Sequence, residues 1–317
     1  MRWSYSSARI FTQCQRKWFY SYVMAPTSGR VTSEERLRAR RLKNLSTISA
    51  WRGDVVDRVI SDHIVPELDF DDHVTLGQAK AYAKQYFERQ KRFAEAHRDE
   101  DLSLVKSHHA DEFLLLYEHV YGPEPTDGDF KRAWEEIESA LNNLYQLDEL
   151  RQQITDGMGF YAQERLYFDI LDDLNGVAYP DLIVYSEAAP IQIIDWKVHA
   201  EGANDARSQL ATYAIALSRM KKPNRDFPAK HWQAPANEIV LKEVQLLLGD
   251  VREHQLTEGD LEDAEVHMMT SAFEMSEILE GKKFENSDIG EFDVARNPEL
   301  CDSCSFRLIC WEEPKID

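Results

Sequence analysis

The sequence predicts an α/β protein with a mainly helical N-terminal half, a central group of strands and a cysteine-bearing segment near its C-terminal end. Helical periodicity runs through most of the first half, strand alternation begins near Phe160, and a hairpin is predicted at 180–197. Three of the four cysteines lie between residues 301 and 310. We expect one domain over 1–317, made of a helical part at 1–158, an α/β core at 159–250, and a helix with the cysteine segment at 251–317.

The composition predicts a chain that folds around its own core. It has 317 residues, of which 43% are hydrophobic, and this allows a substantial core without disulfides. No run of about 18 apolar residues is present, which a membrane span would require. The opening residues are too charged and aromatic for a secretion signal. We therefore expect a cytoplasmic protein with no membrane partner.

The net charge of −20 argues at first against nucleic acid as a partner, because phosphate binding is usually supported by an excess of Lys and Arg. The distribution of charge weakens that objection. Residues 1–58 carry twelve Lys or Arg against four acids, a net of +8, which leaves −28 for the remainder. Since the field near one basic face governs encounter, a DNA partner stays open.

The first predicted helix covers residues 4–23, where Ser4 and Ser6 suit the N-cap. Its apolar stripe consists of Ile10, Phe11, Cys14, Trp18 and Phe19. Cys14 is thus either a core residue or a ligand carried on a helix. A basic helix follows at 34–45, with Arg36, Arg38, Arg40, Arg41 and Lys43. A solvated face is the ordinary interpretation of such a helix, and a DNA-facing strip is the alternative.

The next helix, at 47–65, has an apolar stripe with Asp57 at its edge, four residues after Gly53. The stripe runs through Ile48, Trp51, Val55 and Val59. Further helices are predicted at 75–98 and 130–153. Between them, His108, His109 and Glu112 can act as metal ligands, although such residues on helices are more often solvated or packed.

Strand character begins with residues 161–171, where alternation places Glu164 on the apolar face. That face also holds Ala162, Leu166, Phe168 and Ile170. After the hairpin, a helix at 204–220 puts Gln209 and Tyr213 one turn apart on one side. A strand at 237–247 and an acidic helix at 259–281 complete the pattern.

The hairpin carries three charges at the ends of apolar segments. Asp195 and Lys197 point to one face of the second strand, and Asp181 at the start of the first strand can reach the same end. Two converging carboxylates repel unless a cation lies between them, and oxygen ligands suit Mg²⁺ or Mn²⁺. The backbone carbonyl of Trp196 can add a ligand, and Lys197 can orient a water or stabilise negative charge. A buried Asp–Lys ion pair, with Asp181 as a turn residue, is the alternative.

The four cysteines are Cys14, Cys301, Cys304 and Cys310. One N-terminal cysteine and a C-x2-C-x5-C group favour a metal site over disulfides in a cytoplasmic protein. Four thiolates suit a structural zinc or an iron–sulfur cluster equally. Four unrelated core cysteines are the remaining alternative. A shared site would join the two ends of the chain.

Taken in order, these residues resemble the PD-(D/E)XK nuclease signature: Pro180-Asp181, thirteen residues, then Asp195-Trp196-Lys197. Gln209-x-x-x-Tyr213 resembles the motif of the RecB-like branch. The cysteine arrangement and the serine-rich start are similar to the iron–sulfur members, namely the CRISPR-associated exonuclease type and the AddB nuclease domain. Each short motif is weak by itself, whereas the ordered set spans residues 4 to 310.

The resemblance implies a restriction-endonuclease-like core, in which helices flank a mixed central sheet. It also implies a metal-dependent DNA nuclease, for which exonuclease activity is favoured over endonuclease activity. It implies Asp181 and Asp195 as metal ligands, Lys197 as catalytic, and Gln209 and Tyr213 near DNA or supporting the site. Glu164 can contribute a ligand or a water contact. The cysteines would carry a structural 4Fe-4S cluster, and a helicase or another subunit of a repair or phage-defence complex is the expected partner.

Two positions depart from the family pattern. Asp57 stands where members usually carry His in G-x-x-x-H, and we expect it to bind metal with an altered preference. Ala178 stands where Gly is usual, with Gly176 two residues earlier. Two other hypotheses remain: a catalytically inactive nuclease-fold subunit that binds DNA or acts as a scaffold, and a zinc-containing protein unrelated to nucleases.

Overall fold

The computed structural model describes residues 2–25, 33–69, 73–99, 101–171, 173–198, 206–220, 234–282 and 284–311. The α-helices in these ranges are α1 (Tyr5–Gln13), α2 (Gln15–Phe19), α3 (Glu34–Lys43), α4 (Ile48–Val59), α5 (Leu76–Ala96), α6 (Lys106–His109), α7 (Glu118–Tyr121), α8 (Asp127–Gln146), α9 (Asp148–Thr155), α10 (Arg207–Ser218), α11 (Glu258–Leu279), α12 (Glu299–Asp302) and α13 (Arg307–Trp311). The strands are β1 (Leu45–Ser46), β2 (Leu115–Leu116), β3 (Gly159–Ala162), β4 (Leu166–Leu171), β5 (Leu174–Ala178), β6 (Leu182–Tyr185), β7 (Gln192–Lys197), β8 (Val240–Gln245) and β9 (Asp250–His254).

A mixed five-stranded sheet forms the centre of the fold, in the order β3-β6-β7-β8-β9. Strands β7 and β8 pair in parallel, and the other neighbouring pairs in this sheet are antiparallel. Strands β4 and β5 form a separate antiparallel pair, and β1 pairs with β2 in parallel. This arrangement confirms the predicted α/β class, with a mixed central sheet and a helical N-terminal half.

Helices cover both faces of the central sheet because each face carries its own apolar row. Ile194 and Trp196 of β7 belong to a hydrophobic cluster that includes residues of α4, α5 and α8. Ile193, their neighbour in the strand, belongs to a second cluster with residues of α1, α10 and α11. Since alternate residues of a strand face opposite sides, one strand contributes to both cores. The two cores therefore share a single sheet.

The predicted hairpin is present as β6 and β7, with Leu182 opposite Ile194. The predicted stripe of α4 is also confirmed, because Trp51, Val55 and Val59 are all buried. Thr47 caps this helix by accepting the N–H of Ala50. Both elements follow simple periods, two for the strand and 3.6 for the helix.

Three predicted elements are broken where one continuous element was expected. The strand at 161–171 is two strands separated by a turn, in which Gln163 has a positive φ of 52°. The first helix is interrupted at Cys14, whose backbone is extended. The helix at 130–153 is α8 and α9, which meet at Leu147. In each case hydrophobic periodicity continues through a residue whose backbone leaves the regular conformation.

The basic helix α3 buries two of the five basic side chains for which its sequence predicts a solvated face. Arg40 and Arg41 are buried, and their guanidinium groups donate to the carbonyls of Leu102 and Arg98 at 3.0 and 3.2 Å. Lys43 donates to the carbonyl of Ser21 at 2.7 Å. Buried charged donors are tolerated when they have acceptors of this kind. These side chains therefore connect segments of the chain.

The N-terminal segment adds to the β4–β5 pair. The N–H of Trp3 donates to the carbonyl of Asn175 at 3.0 Å, and the N–H of Val177 donates to the carbonyl of Trp3 at 2.9 Å. Trp3 also donates its indole N–H to Ser271 Oγ in α11 at 2.9 Å. Among the helices that the structure describes, none has the length and apolar character needed to cross a membrane.

Candidate active site

The end of the hairpin brings Asp181 and Asp195 to the same region. Asp181 precedes β6, and its Oδ2 accepts the backbone N–H of Trp196 at 2.9 Å. Asp195 lies on β7 and is 1% exposed. Burial raises the pKa of Asp181, and the charges of Asp195 and Asp57 raise it further. A protein that keeps these carboxylates ionised must supply compensating positive charge.

Asp57 reaches the same group from α4, on the opposite face of the sheet from the side chain of Asp195. Burial raises its pKa from 3.8 to about 6, and the charges of Asp54, Asp62 and Asp195 act in the same direction. A hydrogen bond from Gln163 opposes the rise. Three carboxylates therefore converge from a helix, a strand start and a strand interior.

Gln163 connects two of these carboxylates and was not predicted as a site residue. Its Nε2 donates to Asp57 Oδ1 and Oδ2 at 3.1 and 3.2 Å, and to Asp181 Oδ1 at 3.2 Å. Its backbone N–H donates to the carbonyl of Asp181 at 3.1 Å. The turn after β3 places it there, since Ala162 pairs with Leu182 one position earlier. An alternating pattern that continues to residue 171 hides this turn.

Lys197 forms the ion pair that the alternative interpretation of the hairpin expected. Its Nζ lies 2.5 Å from Asp195 Oδ2 and donates to Gln209 Oε1 at 3.2 Å. Gln209 in turn donates from Nε2 to the hydroxyl oxygen of Tyr213 at 2.6 Å. The predicted neighbours on α10 thus form a chain of contacts that ends at Asp195. We call Lys197, Gln209 and Tyr213 the lysine relay.

Tyr213 is held neutral by its surroundings. Burial raises its pKa, and the nearby charges of Asp195 and Asp181 raise it further. A neutral phenol retains its O–H while its oxygen accepts from Gln209. The relay therefore fixes the amide of Gln209, and through it the ammonium of Lys197.

The carbonyl of Trp196 faces the strand edge where Asp181 lies. Within a strand, the N–H and C=O of one residue point to the same side. The N–H of Trp196 reaches Asp181, whereas the carbonyl of Lys197 on the other side accepts from Leu246. The carbonyl oxygen of Trp196 therefore lies on the same side of the strand as the carboxylate of Asp181.

Glu164 lies in the turn between β3 and β4, so the expectation that it shares an apolar strand face is wrong. Leu166, Phe168 and Ile170 are buried in one hydrophobic cluster as predicted, whereas Ala162 packs against the other cluster. The positive φ of Gln163 redirects the chain before Glu164. A contribution of Glu164 to the site stays a prediction.

Arg52, which the sequence did not single out, holds the strand end that carries Lys197. It is 5% exposed, donates from Nη2 to the carbonyl of Val198 at 2.7 Å, and pairs through Nη1 with Glu136 of α8. Its neighbour Gly53 faces the same residue, because a Cβ at Gly53 would lie 4.0 Å from Val198 Cβ. Helix α4 therefore supports the site through Arg52 as well as Asp57.

A second polar row lies beside Asp195 on the adjacent strand β8. Glu243 pairs in register with Asp195, and Gln245 with Lys197, so their side chains share one face. Both are 1% exposed. Glu243 accepts from Gln245, and its Oε2 lies 3.0 Å from His254 Nε2. Polar residues at 243 and 245 in the predicted strand were the available signal.

The four cysteines line one cavity of about 310 Å³. Cys14 lies between α1 and α2, and the other three lie in or beside α12 and α13. The backbone N–H of Lys17 donates to Cys14 Sγ, and that of Phe306 to Cys304 Sγ, each at 3.4 Å. Burial raises the pKa of the Cys304 thiol, and the nearby Cys14 and Cys301 raise it further. The predicted convergence of the two chain ends is present.

Two observations concern whether these side chains already form a metal site. In the described part of the chain, no set of three or more His, Cys, Asp or Glu side chains is arranged as a ready metal site. At the carboxylates, the amide of Gln163 lies between Asp57 and Asp181. At the second predicted metal-binding group, His109 Nδ1 lies 3.4 Å from Glu112 Oε1. The His109 ring packs against the ring of Phe93, with 4.9 Å between the ring centroids. Packing thus accounts for His109.

A family model described as the PD-(D/E)XK nuclease superfamily matches residues 2–311. None of the curated proteins matches the chain.

Proposed function

The chain belongs to the PD-(D/E)XK nuclease superfamily, and from this premise we propose that it is a metal-dependent DNA nuclease of the RecB-like branch. The observation that carries the proposal is the meeting of Asp57, Asp181 and Asp195 with the lysine relay at one end of the sheet. Burial and neighbouring charges raise the pKa of Asp57 and Asp181, and perturbed carboxylates of this kind are concentrated at catalytic sites.

The donor set fits a hard divalent cation. Asp57, Asp181 and Asp195 would hold Mg²⁺ or Mn²⁺, with the Trp196 carbonyl, and Glu164 is a further candidate ligand. The neutral amide of Gln163 donates to two of these carboxylates, so their oxygens are directed at a common position, which supports the proposal. When bound, the cation would polarise the phosphodiester and favour ionisation of the attacking water.

Lys197 is the proposed catalytic residue. An ammonium has three donors, and Asp195 and Gln209 take two of them. The third is available for the oxygen that gains negative charge as water attacks phosphorus. Water adds its oxygen to phosphorus, the bond from phosphorus to the 3′ oxygen breaks, and that oxygen takes up a proton. The products are a 5′-phosphate and a 3′-hydroxyl.

The cysteine cavity is proposed to hold a structural 4Fe-4S cluster. Four cysteines around about 310 Å³ support a four-thiolate site. A tetrahedral zinc would use the same ligands. Anaerobic purification distinguishes them: a brown protein with about four iron atoms per chain supports the cluster, whereas a colourless protein with one zinc contradicts it.

The biological setting is proposed from the resemblance. We propose an exonuclease acting in DNA repair, recombination or phage defence, together with a helicase or another subunit. The net charge of −20 supports a partner that brings DNA to the site. The two cores share one sheet, which supports a single nuclease domain over 1–317 with parts at 1–158, 159–250 and 251–317.

The test of the function is direct. Wild type and Asp195→Ala are incubated with end-labelled single- and double-stranded DNA and Mn²⁺, after iron content and thermal unfolding show that both are folded. We expect cleavage by wild type and its loss in the variant. Equal inertness of the two folded proteins would contradict the nuclease. It would favour an inactive DNA-binding or scaffold subunit, which Asp57 in place of the usual His suggests.

A further inference from the structure

Gln163 occupies an unusual position in the carboxylate group. Its Nε2 lies within 3.2 Å of three oxygens on two aspartates, Asp57 and Asp181. We propose that the side-chain amide of Gln163 is a placeholder for the divalent cation: it joins Asp57 and Asp181 in the metal-free protein and leaves that position when the metal binds. This proposal rests on the proposed metal centre and assigns to Gln163 the regulation of metal occupancy there.

The orientation of the amide supports this role. Three carboxylate oxygens surround the amide, so the network places its N–H end and excludes its oxygen end, which would be repelled. Two N–H groups shared among three acceptors make charge-assisted hydrogen bonds. The amide nitrogen thus meets the same oxygens that a cation would bind.

The backbone keeps the amide in place. Gln163 has a φ of 52°, a conformation that non-glycine residues rarely adopt. Its N–H donates to the carbonyl of Asp181 at 3.1 Å, continuing the pairing of β3 with β6. A glutamine held in a disfavoured conformation at a functional site indicates a local role rather than a fold requirement.

Competition follows from this geometry. The amide nitrogen and a cation cannot occupy one position, so metal uptake must break the bonds of Gln163 to Asp57 and Asp181. The apparent affinity for metal is reduced by the fraction of protein in which the position is open. At the same time, the amide holds together two carboxylates that would otherwise repel. Gln163 therefore raises the metal concentration at which the site becomes occupied. Below that concentration, its amide keeps Asp57 and Asp181 together.

Two variants and one control test the proposal. Gln163→Ala removes the amide. Gln163→Asn keeps an amide but shortens it, and asparagine tolerates positive φ, so this variant protects the test against misfolding. Gln152→Ala is the control, because Gln152 also donates an amide N–H to a carboxylate, Asp156 Oδ1, at 2.7 Å on the exposed surface. Mn²⁺ binding is measured by the electron paramagnetic resonance of free Mn²⁺, and thermal unfolding is measured in EDTA and in saturating Mn²⁺.

We expect both Gln163 variants to bind Mn²⁺ about tenfold more tightly than wild type, because each hydrogen bond to a charged group contributes an appreciable net free energy. We expect their unfolding temperature in EDTA to fall below that of wild type, and this difference to shrink in Mn²⁺. The control should match wild type in Mn²⁺ binding. Unchanged Mn²⁺ binding overturns the placeholder role, and weaker binding overturns it in favour of the amide as a ligand. If wild type and both variants bind no Mn²⁺, the proposed metal centre itself fails.

Discussion

The lysine relay makes a graded prediction about turnover. In Gln209→Leu, the ammonium of Lys197 loses the acceptor that lies 3.2 Å away and keeps only Asp195. A hydrogen bond to a charged group contributes about 1.5–3 kcal/mol. At about 1.4 kcal/mol for each factor of ten, kcat should fall about ten- to a hundredfold. The KM for DNA should change little, because Lys197 keeps its place beside Asp195 and only its orientation is lost.

Tyr213→Phe removes the outer contact of the relay and leaves the inner one. The bond from Gln209 to the hydroxyl oxygen of Tyr213 joins two neutral groups and contributes about 0.5–1.5 kcal/mol. We therefore expect a loss of kcat of about two- to tenfold, smaller than that of Gln209→Leu. Thr212→Val on the same helix is the control, since the hydroxyl of Thr212 donates to the carbonyl of Ser208 at 2.9 Å, outside the relay.

Single-turnover cleavage of end-labelled DNA in saturating Mn²⁺ separates these cases. A Tyr213→Phe loss equal to or larger than that of Gln209→Leu, at equal stability, would refute the order of the relay. A loss confined to KM would refute orientation as the role of Gln209 and indicate direct contact with DNA.

Three further predictions concern stability. In EDTA, Asp57 should contribute about 3 kcal/mol to the free energy of unfolding below pH 4, and this contribution should be lost as pH rises to about 6. The reason is that the fold raises the pKa of Asp57 from 3.8 to about 6 and so favours the protonated form. Denaturant titrations of wild type and Asp57→Asn across this pH range measure the effect. Arg52→Met should lower the free energy of unfolding by about 3 kcal/mol in urea titrations, since the carbonyl of Val198 loses a buried charged donor. Gly176→Ala should lower it by about 1–3 kcal/mol, because a Cβ there would lie closer than 3.0 Å to the ring of Phe168.

Matched variants elsewhere in the chain serve as controls for these contacts. Arg58→Met removes an ion pair with Asp111 on the exposed side of α4, and it should cost less than about 1 kcal/mol. Gly77→Ala places a Cβ with nothing within 4 Å and should not destabilise. If Asp57→Asn has the same pH dependence as wild type, the raised pKa of Asp57 is wrong. If the paired variants at 52 and 58, or at 176 and 77, behave alike, the assigned contacts do not carry the effect.

The hairpin and α4 could be predicted because one short-range period determined each. Asp195 and Lys197 share a face for the same reason that Ile193 and Ile194 do not, and the stripe of α4 placed Asp57 beside the core. The convergence of distant cysteines followed from their residue type and spacing. These inferences needed no knowledge of how segments pack.

Other residues could not be predicted because their roles depend on long-range contacts. Gln163 acts through a positive φ, for which glutamine carries no signal. Arg40 is buried because the carbonyl of Leu102 lies in reach, although a run of basic residues ordinarily predicts solvent exposure. Arg52 acts through Val198, a contact across 146 residues of sequence. From the sequence, Glu243 is only an acidic residue in an apolar strand. Its position beside Asp195 depends on the register between β7 and β8.

The joining of the two chain ends has a consequence for how the protein is made. Trp3 contacts Asn175 and Ser271, and Cys14 shares its cavity with Cys301, Cys304 and Cys310, which are synthesised after all of these residues. At about 5–20 residues per second, roughly 15 to 60 s separate the synthesis of Cys14 from that of Cys304. During this interval Cys14 lacks the three cysteines with which it lines the cavity. The four-cysteine cavity can therefore form only after Cys310 has been synthesised.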